Sequence, residues 1–212
     1  MKSRQKDQQT IGQPKILAFD TSSAHCAVCV LCGEDILAQS SEPMTKGQAE
    51  RLLGLCTELM NEAGLSYCDL TALGVGIGPG NFTGIRISVS AARGLALGLG
   101  VPSVGISSLE ALSYGHETPC ACAVDARRGQ VYFQQFDGRA VHDPAMAPAD
   151  NLPGFEGPLI GAGGQPPAHP IAVSIAHLTR ERYLTVNTRP APLYMRRADA
   201  APSRDTPPLI LP

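Results

Sequence analysis

The sequence predicts an α/β fold built on a mixed sheet. Three observations carry that reading. The chain opens with three short strand patterns separated only by polar turns. Strand and helix patterns then alternate, which is the signature of a sheet covered by helices. Between the two regimes lies Gly74–Ser88, GVGIGPGNFTGIRIS, which reads as a buried strand, a glycine turn and the start of a helix.

Each element has its own cause. Lys15 to Asp20 (KILAFD) is a short apolar run ending in a polar turn, Thr21-Ser22-Ser23. A second strand follows through Ala24 to Leu31, a turn at Gly33-Glu34-Asp35, and a third strand from Ile36 to Ser40. From about Gly47 to Ala63, Ala49, Leu52, Leu53, Cys56, Leu59, Met60 and Ala63 recur three or four apart, the stripe of an amphipathic helix. Gly64 is placed to end it. A strand at Leu73 to Ile77 leads into the glycine turn. A second helix is expected from Thr83, as its cap, to Leu99, with Gly100 and Pro102 beyond it.

Val101 to Ile106 reads as a short strand and Ser107 to Tyr114 as a short helix. Cys120 to Asp125 and Gln130 to Phe136 read as a hairpin around Ala126-Arg127-Arg128-Gly129. Pro and Gly are frequent from Pro144 to Pro170, so loops are expected there, with one further helix over Ile171 to Arg182.

An acidic residue ending strand one, a Ser/Thr turn and an antiparallel second strand point to an actin/hexokinase/Hsp70-like lobe. The expected organisation is a flexible extension at 1–14, a lobe at 15–106, a reduced second lobe at 107–201, and a Pro-rich tail at 202–212. That is a statement about fold and leaves function open.

Composition narrows the function classes. A chain of 212 residues with net charge −2 lacks the overall basic footprint of a nucleic-acid binder. No run approaches the length needed to span a bilayer, and the polar start MKSRQKDQQTIGQP lacks an apolar signal core. A cytoplasmic location is the expectation. Arginines gather late in the chain, at Arg180, Arg182, Arg189, Arg196 and Arg197, and pair at Arg127-Arg128, as solvated charges or as a local basic patch.

Seven cysteines, an odd number, argue against a disulfide framework. Cys26, Cys29 and Cys32 have the C-x-x-C-x-x-C spacing of a metal or iron–sulfur site. They stand, however, on a strand-like run, AHCAVCVLCG, where residues three apart point to opposite faces. Buried structural thiols are the expected role.

A glycine turn opening a helix is a common way to hold phosphate. This one lacks the lysine of a P-loop after Gly84, and Thr83 stands where a dinucleotide fingerprint needs its third glycine. The alternative is a tight turn that lets the helix pack close to the sheet. Asp20 and Asp125 each end a strand, and each is open to a chemical role or a turn role. His25, His116, His142, His169 and His177 are scattered, with no H-E-x-x-H pair, and no G-x-S-x-G elbow occurs. Between Thr71 and Gly115 the only charged residues are Arg86, Arg93 and Glu110. The second helix is rich in Gly, Ala and Ser, which suits either a central buried helix or one with a face for another subunit.

The segment Gly78-Pro79-Gly80-Asn81-Phe82-Thr83-Gly84-Ile85-Arg86 resembles the GPGSFTGxR signature of the bacterial TsaB family, also called YeaZ. ILAFDTSS at 16–23, Glu50-Arg51-Leu52-Leu53, GLALG at 94–98, Gly105-Ile106-Ser107-Ser108-Leu109, DARRGQVY at 125–132 and Pro192-Leu193-Tyr194-Met195-Arg196 agree in order. The resemblance runs roughly from Lys15 to Arg197.

It implies a non-catalytic subunit that pairs with a larger paralogue, TsaD, and with the ATPase TsaE. The assembly transfers threonylcarbamoyl to the adenosine beside the anticodon of tRNAs reading codons that begin with A. ATP or ADP and the metal would belong to the partners, tRNA would be met indirectly, and the isolated chain would carry no cofactor. The partner surface implied is Glu50, Leu53, Thr57 and Met60 on the first helix with Arg86, Val89, Arg93 and Leu97 on the second, beside the glycine turn Gly78, Gly80, Thr83 and Gly84. The same helices could serve a homodimer. Asn81 departs from the usual Ser, Ser88 from a common Gly, and Gln48 from a frequent His, while the region after Asp137 is short. The competing reading is an independent ATP-dependent kinase or ATPase of the same superfold.

Overall fold

The computed structural model describes residues 12–138 and 142–195. Most of the expected leading extension, the whole expected tail, and Arg196 and Arg197 lie outside that range.

Lys15–Asp20 (β1), His25–Cys32 (β2) and Asp35–Pro43 (β3) form the antiparallel meander, with Lys15 opposite Cys32 and Asp20 opposite Ala27. Ala72–Gly76 (β4) joins the other side of β1 in parallel, and Ser103–Ile106 (β5) joins β4 in parallel. The order is therefore β3-β2-β1-β4-β5. This is a mixed sheet, an antiparallel meander extended on one side by two parallel strands.

The pleat sorts the core. Leu17, Phe19, Cys26 and Val28 face Gln48–Glu62 (α1) and Phe82–Leu99 (α2). Ile16, Ala18, Ala27 and Cys29 face the opposite side. Cys26 and Cys29 thus lie on opposite faces of one strand, the geometry expected of structural thiols. Burial pushes the Cys26 thiol up to about 11 and that of Cys29 to about 12.

On α1 the inward stripe is Leu52, Leu55, Cys56, Leu59 and Met60. The sequence stripe included Leu53 in place of Leu55. Leu53 instead points outward and is half exposed. Asn81, and not Thr83, caps α2: its Oδ1 accepts the N–H of Thr83 at 3.0 Å and of Gly84 at 3.1 Å. The cap thus lies two residues before the expected Thr83.

Ser108–Ser113 (α3) leads to the second sheet and lies against its strand Cys120–Asp125 (β6). Gln130–Phe136 (β7) pairs antiparallel with β6. Two elements occupy the stretch expected to be loop: Ala145–Pro148 (β8) and Leu159–Gly161 (β9). They are the two edges of the order β8-β7-β6-β9. Edge strands pair on one side only, so they tolerate the brevity and the Pro148 that hid them in the sequence.

Ile171–Arg182 (α4) falls within the range the sequence assigned to the second lobe, yet it packs on β1, β2 and β4 of the first sheet. Ala172 through Thr179 are buried without a break. A sheet whose other face is filled by α1 and α2 needs this cover, and α4 supplies it. Ser174 Oγ and Thr179 Oγ1 find no hydrogen-bond partner there. Packing holds the buried face of α4, while Arg180 and Arg182 at its end pair with Glu34 and Glu110.

Candidate functional site

The glycine turn is positioned by the first turn of the meander. A Cβ on Gly80 would run into the carbonyl oxygen of Ser22, and one on Gly84 into that of Thr21. Asn81 N–H donates to Ser22 O at 2.6 Å, and Thr21 Oγ1 donates to Gly84 O at 2.7 Å. Gly78 has φ 88, with Ile85 packed beside it. Ser88 Oγ donates to Gly76 O at 3.0 Å, tying the helix back to the end of β4. These glycines let two backbone segments touch.

The same contacts decide how well the turn suits a phosphate. The N–H groups of Thr83 and Gly84, the donors an anion would need, are already taken by Asn81. Two of the donors that a phosphate would use are therefore already satisfied within the chain.

Asp20 is fully buried beneath it. Its Oδ2 accepts from the Ser22 N–H and hydroxyl, both at 3.0 Å, and lies 2.7 Å from His25 Nε2. Oδ1 abuts Gly76 and has no hydrogen-bond partner. Asp20 thus organises the β1–β2 turn. Asp125 does the same for the hairpin, accepting the Arg127 N–H at 2.9 Å while Arg127 and Arg128 adopt φ 62 and 55.

A cleft of about 710 Å³ runs between the lobes. Ser22, Asn81, Phe82 and Thr83 line one side, Asp125, Arg127 and Tyr132 the other, and Tyr194 and Met195 close its end. Among the described residues no group of three or more His, Cys, Asp or Glu side chains is placed to hold a metal ion.

The outer faces of α1 and α2 have a different character. Leu97 is 82% exposed and Leu53 49%. Gly94 and Gly98 meet nothing within 4 Å of where a Cβ would stand, and Gly54 only the end of Arg51. Glu50 and Thr57 are exposed on the same helix as Leu53. Thr57 Oγ1 donates to Leu53 O at 2.9 Å and lies 3.1 Å from Tyr67 Oη. On their outer sides α1 and α2 thus expose Leu53 and Leu97, each next to a glycine.

Two residues expected on that face are not there. Met60 and Val89 are buried, at 1% and 2% exposure, among the side chains between helix and sheet. Their helical phase puts them with Cys56 and Ile85, not with Leu53 and Leu97. Arg86 and Arg93 are exposed but engaged. Arg86 Nε donates to Tyr194 Oη at 2.8 Å, and Arg93 Nε to Pro190 O at 2.7 Å. The role of 190–195 was hidden in the sequence, and its one signal was the P-x-Y-x-R resemblance at Pro192.

The family model TsaD, tRNA N6-adenosine threonylcarbamoyltransferase, matches residues 37–151. The Escherichia coli tRNA threonylcarbamoyladenosine biosynthesis protein TsaB is 35% identical over 127 residues, 58% of this chain and 54% of that protein. An uncharacterized protein of Mycobacterium tuberculosis H37Rv is 32% identical over 202 residues, covering 88% of this chain and 94% of its own length. The crystal structure of a Pseudomonas aeruginosa protein with similarity to peptidase YEAZ superposes with a TM-score of 0.70 at 25% identity, over 86% of this chain and 100% of that one. The chain belongs to the TsaB/YeaZ family. The match spans about half the length of the Escherichia coli TsaB protein. Among the described residues no helix is long and apolar enough to cross a membrane.

Proposed function

We propose that this chain is a non-catalytic subunit that docks through the outer faces of α1 and α2 onto a larger TsaD-type paralogue, in the cytoplasm. With a TsaE-type ATPase, that assembly would transfer threonylcarbamoyl to the adenosine beside the anticodon of tRNAs reading codons that begin with A. The partners would supply the catalytic metal and the nucleotide, and the chain would meet tRNA only through them.

The observation that carries this reading is the open glycine face. Exposed helix glycines lower helix stability by about 0.5–1 kcal/mol each relative to alanine. Gly94 and Gly98 bring no compensating contact among the described residues. Their use is close approach of another surface, with Leu53 and Leu97 as anchors. Glu50 and Thr57 would lie at its rim. The same face would also serve a homodimer of the isolated chain.

Co-elution with the paralogue on size exclusion tests the proposal. A stable complex at micromolar concentration, with tRNA modification lost in a deletion strain, is expected. Separate elution with modification intact would end it. The kinase or ATPase reading has the inter-lobe cleft in its favour. Calorimetry decides it, since ATP–magnesium binding tighter than about 100 μM, about −5.5 kcal/mol, would revive that reading.

A further inference from the structure

We propose that Pro190–Met195 is a clamp between the lobes that fixes the width of the cleft. The chain crosses between the lobes covalently twice, once from β5 to α3 and once from β9 to α4. Two crossings alone would leave a hinge, the usual way in which two-lobed folds open and close. The segment 190–195 makes a third crossing, held entirely by non-covalent contacts.

Its first residues are fastened to the first lobe. Pro190 is buried against Gly105 of β5, where a side chain on the glycine would collide with Ile77 and press on the proline ring. The Pro190 carbonyl takes the Arg93 guanidinium at 2.7 Å. Leu193 N–H donates to Ile77 O at 2.8 Å, immediately before the glycine turn. Tyr194 is then held by a three-part stack. Its hydroxyl accepts from Arg86 at 2.8 Å, its ring centroid lies 4.8 Å from that of Phe82, and Arg86 Cζ stands 3.9 Å from the Phe82 centroid.

The last residue engages the second lobe. Met195 packs against the cluster of Leu109, Cys122, Ala126, Tyr132 and Ile160. Leu193, Tyr194 and Met195 all line the cleft. One short segment therefore reads the position of both walls. Two of the three charges between Thr71 and Gly115, Arg86 and Arg93, hold this segment. This assignment stands whether or not the helix pair docks a paralogue.

The test is a distance measurement on the full chain. Cys68, the one exposed cysteine among the described residues, is replaced by serine, and spin labels are placed at Glu62→Cys on α1 and Asp150→Cys beyond β8. The other six cysteines are buried and poor targets for the label. Double electron–electron resonance then reads the inter-lobe distance. The parent is expected to give one narrow distribution. The double variant Tyr194→Ala/Met195→Ala is expected to widen it at least twofold, and Arg86→Ala to widen it less, with circular dichroism showing both folded. An unchanged width in these variants overturns the clamp, as does a parent distribution already as wide as theirs. If the double variant does not fold, Arg86→Ala, which alters an exposed side chain, decides by the same criterion.

Discussion

The two ends of α2 use small residues for opposite purposes. At the start, Gly80 and Gly84 press against the carbonyls of Ser22 and Thr21, with no room for a Cβ. Near the end, Gly94 and Gly98 face open space. The first pair is consumed by the fold. The second contributes nothing to it that alanine would not contribute better. A run of glycine, alanine and serine in sequence therefore says little until each residue is assigned to an inner or an outer surface.

That contrast can be broken by substitution. Gly84→Ala forces a methyl into Thr21 O, a backbone atom with nowhere to go. A loss above about 4 kcal/mol, or no folded protein at all, is expected on urea titration. A mild effect would mean the turn is looser than its contacts. Inside against outside on α1 gives the next largest effect. Met60→Ala is expected to cost about 2–5 kcal/mol through its cavity, while Leu53→Ala stays within about 0.5 kcal/mol. Equal costs would place both residues on one face and undo the assignment.

The third helix in the comparison, α4, has no outer face over Ala172–Thr179, and it carries the one titratable group that matters to its burial. Desolvation first, and then the neighbouring His169, hold His177 below the ordinary histidine range. Glu181, Glu34 and Arg180 are the other charges around it. The unfolded chain therefore binds the proton more readily than the folded one. The contribution is complete above about pH 6.5, the unfolded value, and is lost as pH falls through the depressed folded value. Denaturant midpoints at pH 7.5 and 5.5 should fall in that order, and His177→Gln should flatten the difference. The removal of the buried, unpartnered hydroxyl by Thr179→Val is expected to raise stability by about 1 kcal/mol.

The smallest effect has the opposite sign to the first. Gly94→Ala and Gly98→Ala should each stabilise the isolated chain by about 0.5–1 kcal/mol, read as a rise in thermal midpoint. A loss of stability at either site would show that the glycine is used within the fold after all.

Much of this was legible in the sequence because the deciding signals are local. The meander, the glycine turn and both long helices follow from periodicity, turn residues and caps. The misplacements came where contact, not pattern, decides. Met60 and Leu53 are both apolar and near the same stripe, and only helical phase against the sheet separates them. β8 and β9 are too short and too proline-marked to show a period. α4 returns to the first sheet because that sheet has an uncovered face, which no local feature of residues 171–182 announces. The contacts of Arg86 and Arg93 within the chain are equally illegible, because Tyr194 and Pro190 are about a hundred residues away.

The central claim is that the open face of α1 and α2 is where the TsaD-type paralogue binds. Isothermal titration of that paralogue with the parent chain and with Gly94→Leu/Gly98→Leu tests it most directly. The parent should bind at micromolar affinity or better. The variant, folded and no less thermally stable, should bind at least tenfold more weakly, about 1.4 kcal/mol. Equal affinity of the two chains would contradict the claim.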